Sequence, residues 1–182
     1  WQRSQAAGGQ PCLHIGPASH LQWWPETQQL MLKFFQQHLQ DRPPLEPTPA
    51  HQLWNITCEQ WDSIPAPDAT VPTSWGLRGQ GLACTDPGDG ALVAKEEAEG
   101  SVVIVHDPWR PVPAIGGHLG TDPGPVNRLA VDQRSDVATF TSAPLVDQLL
   151  LSGQPLLQLN AQADQPGFDL CISLSRLPAD AN

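Results

Sequence analysis

FDLCISLSRL, residues 168–177, is the stretch that decides the fold. Phe168, Leu170, Ile172 and Leu174 recur at every second position, and the residues between them are mostly polar. A period of two places the apolar side chains on one face and is typical of an antiparallel strand with one buried side. The stretch therefore predicts a β-sheet with one face against a core.

Similar patterns extend over most of the chain. They predict further strands at 12–16, 51–61, 101–107, 136–142, 148–153 and 155–163, whereas 70–95 carries only weak strand signals. Turn-forming clusters lie between the strands, at 85–90, 114–125 and 163–167. The 20 Pro and 15 Gly disfavour a helix-rich fold. Together, the strand, turn and composition signals predict an all-β sandwich of the jelly-roll kind. Because such a fold has about eight strands, we expect its last strands beyond Asn182.

One helix and one linker precede the predicted sandwich. PETQQLMLKFFQQHLQ, residues 25–40, begins with Pro and Glu, and Met31, Phe34 and Phe35 fall at helical spacing on one face. DRPPLEPTPA, residues 41–50, has four prolines in ten residues and reads as an extended linker. It is the best candidate for a domain boundary.

Charge and cysteine content narrow the class of protein. The net charge of −10, from 9 Lys+Arg against 19 Asp+Glu, disfavours nucleic acid and acidic membrane surfaces as partners. Four cysteines without CxxC spacing suggest free structural thiols, with Cys12 and Cys171 packed inside strands. Free thiols suit a cytoplasmic protein. We expect no metal and no cofactor, because no HExxH, glycine-rich phosphate loop or zinc-ligand spacing occurs.

His20 is the candidate catalytic residue. It follows the apolar run and Gly16-Pro17 in CLHIGPASH, residues 12–20, so that a strand end presents it on a loop. A histidine in such a place suits a general base, although a surface role is the commoner one. The chain carries no G-x-S-x-G or S-x-x-K nucleophile motif. The other histidines are interpreted as structural.

Seven tryptophans and no tyrosine allow a second interpretation. Trp-rich loops on a β-sandwich could bind a carbohydrate or a protein partner, although core and interface packing explains tryptophan more often. A stand-alone binding module therefore stays open as the alternative to a hydrolase fragment. A purely structural interface domain also stays open.

Residues 103–169 resemble the C-terminal domain of the cocaine-esterase and X-Pro dipeptidyl-peptidase group of serine hydrolases. In that family a strand runs into Asp-Pro and a Pro-x-Pro-x-x-Gly-Gly loop, matched here by Asp107-Pro108 and by residues 111–117. An Asp-Gln-Arg turn follows at 132–134, and a DV-x-x-F-T-S-x-P-L strand at 136–145. An L-x-x-x-G strand and an alternating strand complete the order at 149–169.

The front of the chain resembles the end of the family's α/β-hydrolase domain. There a Gly-Pro-Trp-x-His loop carries the triad histidine and a Phe-rich helix follows; here residues 16–20 and KFFQQHLQD take those places. Ala18 stands where the family has Trp, and Leu21 where Gly usually follows the His. The resemblance implies that His20 is the triad base of the parent enzyme, with the Ser and Asp upstream of residue 1.

The resemblance completes the expectations for fold and function. We expect a mainly β chain: a jelly-roll, galactose-binding-like β-sandwich preceded by a strand–loop–helix remnant of an α/β-hydrolase domain. The expected divisions are 1–42 for the end of the hydrolase domain, 43–50 for the linker and 51–182 for a truncated jelly roll. The resemblance implies a non-catalytic domain that packs on the catalytic domain and walls a pocket for an ester or peptide substrate. Alone, the chain is expected to be inactive, and unpaired strand edges could support a homodimer.

Overall fold

The computed structural model describes residues 1–40, 51–63, 72–117 and 123–178. Six short strands in two three-stranded sheets, with few helices, make this part of the chain β-rich, as the alternating patterns predict. In chain order the elements are α1 (Gln2–Ala6), β1 (Leu13–Ile15), α2 (Thr27–Leu39), β2 (His51–Asn55), β3 (Gln60–Ser63), β4 (Trp75–Arg78), β5 (Ala91–Ala94), a 3-10 turn (Lys95–Glu97), α3 (Leu129–Asp132) and β6 (Thr141–Ser142).

The first sheet has the strand order β1-β2-β3. β1 and β2 are parallel, with Leu13 opposite His51, and β2 and β3 are antiparallel, with Trp54 opposite Trp61. Two parallel neighbours need a long crossover connection, and here it contains α2. The segment that carries His20 therefore lies between the end of β1 and the start of α2.

The β2–β3 hairpin divides the single run predicted at 51–61. Asn55 ends β2, and its Oδ1 accepts hydrogen bonds from the backbone N–H groups of Thr57 and Cys58, both at 3.1 Å. Its Nδ2 donates to Asp62 Oδ2 at 2.9 Å. An asparagine side chain that satisfies loop N–H groups stabilises a turn, which the loose alternation of this stretch does not reveal.

Helix α2 confirms the predicted helix within two residues at each end. Its first residue is the buried Thr27, whose hydroxyl donates to the Trp24 carbonyl at 2.8 Å. The apolar face of Met31, Phe34 and Phe35 is largely exposed. What anchors the helix to the rest of the molecule is therefore its N-terminus.

The second sheet has the order β4-β5-β6, and its first two strands lie in the stretch where the sequence signals are weak. β4 and β5 are antiparallel, and β5 and β6 are parallel. The most deeply buried apolar side chains in the described part of the chain are Ala83, between β4 and β5, and Val131, between β5 and β6. The backbone N–H of Thr139 donates to the Ala83 carbonyl at 3.0 Å and holds the approach to β6.

The strands predicted at 101–107, 148–153, 155–163 and 168–177 are wrong for this structure, and only Thr141–Ser142 of 136–142 is a strand. The residues predicted to face a core, such as Ile172 and Leu174, are exposed. Alternation defines which face of an extended segment can be buried. A strand also needs a hydrogen-bonded neighbour, and no ladder among the described residues includes these stretches.

The prediction that Cys12 and Cys171 pack inside strands is also wrong, because both side chains are exposed. Cys12 precedes β1 by one residue, and Cys171 lies in a stretch outside both sheets. All four cysteines are free, as predicted, with Cys84 half-buried. The proposed linker, 43–50, lies outside the described residues, and the domain divisions and the jelly-roll arrangement stay predictions.

Candidate functional site

His20 lies in a tight reverse turn between β1 and α2. Ser19 and Gln22 exchange both backbone hydrogen bonds: Ser19 N–H donates to the Gln22 carbonyl at 2.9 Å, and Gln22 N–H donates to the Ser19 carbonyl at 3.1 Å. The Ser19 hydroxyl also donates to Gln22 Oε1 at 3.3 Å. His20 and Leu21 are therefore the two central residues of the turn, and both are exposed.

The backbone of the turn is strained at Leu21. Its φ is +59°, in the left-handed region that glycine adopts at no steric penalty and that a side chain disfavours by about 1–2 kcal/mol. Leu21 is the position at which the resembled family has Gly. The backbone thus keeps the conformation that glycine suits, although this sequence places leucine there.

An aromatic cluster closes the base of the His20 loop. A Cβ added to Gly16 would lie 2.7 Å from Cε3 and Cζ3 of Trp24 and 2.7 Å from Cη2 of Trp61. The Trp24 and Trp61 ring centroids are 5.5 Å apart in an edge arrangement, and those of Trp54 and Trp61 are 5.6 Å apart. Both separations are in the favourable range for aromatic pairs. We call Gly16, Trp24, Trp54 and Trp61 the tryptophan clamp.

The imidazole of His20 makes no hydrogen bond or ion pair within the described part of the chain. Within the described residues, neither an orienting acid nor a nucleophile is therefore hydrogen-bonded to the predicted base. Three other histidines contact aromatic rings: His14 lies 6.3 Å from Trp61, His38 lies 4.4 Å from Phe34 and His51 lies 5.1 Å from Trp1, measured between ring centroids.

A polar cluster joins two of the motifs that carry the family resemblance, the Asp-Pro motif at 107–108 and the Asp-Gln-Arg turn at 132–134. Arg134 donates to both carboxylate oxygens of Asp136, at 2.7 and 2.6 Å, and to the Arg110 carbonyl at 2.6 Å. The Asp107 carboxylate accepts the N–H of Trp109 at 2.9 Å. The Asp-Gln-Arg turn is thereby tied to the Asp-Pro-Trp-Arg loop, beside a cavity of about 460 Å³.

The charges of this cluster shift its ionisations. Hydrogen bonds from the Arg134 guanidinium lower the pKa of Asp136, and the same bonds raise the pKa of Arg134. Burial, assisted by the charge of Asp136, raises the pKa of the Cys84 thiol. Arg134 and Asp136 are mutually satisfied, so their arrangement is that of a structural tie between two loops. Sequence reasoning found these residues as family motifs and assigned them no contact.

Two further features bear on the class of protein. Among residues 1–40, 51–63, 72–117 and 123–178, no group of three His, Cys, Asp or Glu side chains could hold a metal ion. Over the same residues, no helix is both long enough and apolar enough to cross a membrane.

Six of the seven tryptophans form two groups, and the seventh, Trp75 in β4, is 40% exposed. Trp24, Trp54 and Trp61 pack against one another in the clamp, and Trp1 packs on His51. Trp23 and Trp109 are 72% and 92% exposed, the highest values among the tryptophans. The first group therefore has the predicted packing role. The exposed indoles of Trp23 and Trp109 are the ones that a ligand could reach.

Comparison with protein families supports the resemblance stated above. The family model of the X-Pro dipeptidyl-peptidase C-terminal non-catalytic domain matches residues 22–182. A comparison with curated proteins gives no match. The matched region begins at Gln22, the last residue of the His20 turn, and includes α2, strands β2 to β6 and the Arg134 cluster, whereas β1 lies before it. The chain belongs to the family of X-Pro dipeptidyl-peptidase C-terminal non-catalytic domains.

Proposed function

We propose that the chain is the C-terminal part of a serine hydrolase that cleaves an ester or an X-Pro peptide bond. In this proposal the non-catalytic domain packs on the catalytic domain and walls the substrate pocket, and the residues before it end the catalytic domain. The single observation that carries the proposal is the family match over residues 22–182, which starts two residues after His20.

The position of His20 supports its proposed role as the base. In α/β proteins, loops that follow the carboxyl ends of parallel strands present functional side chains to a cleft. β1 is parallel to β2 and His20 follows it after a short connection. Since the imidazole is exposed and unpaired within the described residues, another domain could supply both of its partners.

The proposed chemistry is that of a serine hydrolase triad. The His20 imidazole takes the proton of a serine hydroxyl as that oxygen attacks the substrate carbonyl, and the acyl-enzyme forms. The imidazolium then gives the proton to the leaving alcohol or amine. An aspartate that accepts the other ring N–H fixes the tautomer. This chain contributes the base alone, so by itself it should be inactive.

The reading frame that precedes Trp1 tests this proposal. A Gly-x-Ser-x-Gly elbow within roughly 250 residues upstream, followed by an Asp some tens of residues before His20, would complete the triad. A start codon close to Trp1, with no such elbow, would contradict the proposal. The binding-module alternative would then gain weight.

The exposed tryptophans favour the binding-module alternative, and a titration distinguishes the two. Trp23 and Trp109 are available to a sugar ring, which stacks on exposed indole faces. The hydrolase proposal expects no saturable quenching of tryptophan fluorescence by simple sugars. Saturable quenching that is lost in Trp109→Ala and kept in Trp75→Ala would favour the binding module.

We also propose a cytoplasmic location and a homodimer. The four free thiols suit a reducing compartment. The exposed alternating residues at 168–177 could pair with a second copy, because an unpaired extended segment is open to another strand. Light scattering tests the dimer: a strictly monomeric species at high concentration would contradict it, and loss of the dimer in Ile172→Lys would support it.

A further inference from the structure

The base of the His20 loop is closed by packing across the family boundary. Gly16 lies before the loop and Trp24 after it, so that contact between them draws the ends of residues 17–23 together. The third member of this contact, Trp61, belongs to β3. β3 lies inside the matched non-catalytic region, whereas Gly16 and His20 lie before it.

Packing holds the indole of Trp24 in this place, whereas its backbone carbonyl accepts hydrogen bonds from Thr27. Its indole Nε1 is buried and has no hydrogen-bond partner within the described part of the chain. A buried indole N–H normally finds an acceptor. Because the indole of Trp24 has none, the position of its ring depends on its contacts with Gly16, Trp61 and the neighbouring ring of Trp23.

Trp61 is itself held from the other side. It lies opposite Trp54 in the β2–β3 ladder, and the two ring planes meet at 76°. The clamp therefore transmits the position of the hairpin to the loop through Trp61 and Trp24. Beyond the clamp, the turn is held by the contacts between Ser19 and Gln22, because the central residues His20 and Leu21 are exposed.

We propose that Trp61, a residue of the non-catalytic domain, is a positioning residue for His20, acting through its contact with Trp24 and Gly16 at the base of the His20 turn. The proposal rests on the proposed function of His20 and gives the non-catalytic domain a second task. Besides walling a pocket, it would hold the catalytic base at the distance at which proton transfer is efficient. A displacement of about 1 Å at a catalytic group can reduce the rate about 100-fold.

The test uses the gene product that contains this chain, with Trp61→Ala, Trp61→Phe and Trp75→Ala compared in parallel. We expect Trp61→Ala to lower kcat by about 10- to 100-fold for ester and X-Pro substrates, with KM changed less than about twofold. Trp61→Phe should restore most of kcat because it keeps an aromatic ring in the clamp. Trp75→Ala removes a tryptophan outside the clamp that is 40% exposed, and it should leave both constants unchanged.

Hydrogen exchange gives a readout that does not need activity. In Trp61→Ala, a peptide covering residues 17–24 should exchange about tenfold faster, the size expected from the loss of one aromatic pair. Peptides from β4 and β5 should exchange as before. If Trp61→Ala fails to fold, Gly16→Ala, which drives a methyl group against the same two rings, serves as the second variant.

The outcomes separate this proposal from the one on which it rests. Unchanged kcat and unchanged exchange in Trp61→Ala would overturn the positioning role while His20 remained the base. If His20→Ala retained full activity, the proposed function would fail, and with it the catalytic meaning of the clamp. Faster exchange together with a selective loss of kcat supports the proposal.

Discussion

Ser19 and Gln22 are joined by both of their backbone hydrogen bonds, at 2.9 and 3.1 Å, so that the two residues between them are forced to the tip of the turn. One of these residues is His20 and the other is Leu21, with a φ of +59°. The turn therefore fixes the backbone of the candidate base while its imidazole stays accessible. The strained backbone conformation is that of Leu21, and the neighbouring residue His20 is the one whose imidazole is exposed.

Replacing Leu21 by Gly should stabilise the turn. Relief of the left-handed strain, about 1–2 kcal/mol, exceeds the extra unfolded-state entropy of glycine, about 0.5–1 kcal/mol. Leu21 is 88% exposed, so little packing is lost. We expect unfolding free energy to rise by up to about 1 kcal/mol in denaturant titration. Leu21→Ala keeps the Cβ and is the control; an equal gain in that variant would show that strain is not the cause.

Replacing Gly16 by Ala should destabilise the protein. The added Cβ would lie 2.7 Å from ring atoms of both Trp24 and Trp61, and neither ring can move without disturbing its partner. Overpacking of this kind costs about 1–3 kcal/mol. Gly167→Ala is the matched control, because nothing lies within 4 Å of its added Cβ. Equal melting temperatures for the two variants would show that the clamp is not packed as described.

Asp136 should make stability depend on pH in the acid range. Hydrogen bonds from Arg134 lower its pKa in the folded state, so the carboxylate contributes stability that is fully present above its unfolded pKa, about 4. That contribution is lost as pH falls through the lower folded pKa. Asp136→Asn should reduce the melting temperature at pH 7 and flatten its dependence below about pH 4.

The control for this measurement is an exposed carboxylate that makes no ion pair within the described residues. Asp169→Asn keeps the same change of charge at an exposed site and should leave the acid limb of the profile unchanged. If the melting temperatures of Asp136→Asn and the parent protein changed with pH in the same way, stabilisation by the Arg134–Asp136 hydrogen bonds would be contradicted.

The four thiols should react at different rates. Cys12, Cys58 and Cys171 are exposed, whereas Cys84 is half-buried, lies 3.7 Å from the Val103 carbonyl and has a raised pKa. Since the thiolate is the reactive form, iodoacetamide at pH 8 should modify Cys84 last. Mass spectrometry of timed digests measures the order. Labelling of Cys84 at the rate of Cys58 would show that the thiol is neither buried nor suppressed.

The sequence predicts local features of this fold better than it predicts which strands pair with one another. Helix α2 and strand β1 lie where periodicity places them, because each depends on residues close in the chain. Strands β4 and β5 lie where the sequence gives only weak strand signals, and the ALVA of β5 is a short apolar run without alternation. Residues 168–177 show the converse case: the alternation is strong, yet the structure provides no ladder and leaves Ile172 exposed.

The role of His20 stays a prediction, and the sequence did not predict which residues pack around its loop. His20 follows from its place after an apolar strand and from the resemblance. The tryptophan clamp did not follow, because Gly16, Trp24 and Trp61 are brought together by the pairing of β2 with β1 and β3, which no local pattern encodes. A glycine followed within ten residues by tryptophan is too common a pattern to predict the contact.

Hydrolysis of an X-Pro p-nitroanilide and a p-nitrophenyl ester by the gene product that contains this chain, with and without His20→Ala, tests the central claim most directly. The account predicts that His20→Ala lowers kcat by about 10⁴-fold or more for every substrate that the parent cleaves, while His106→Ala, which removes an exposed histidine elsewhere, leaves it unchanged. Full activity of the folded His20→Ala protein would contradict the account.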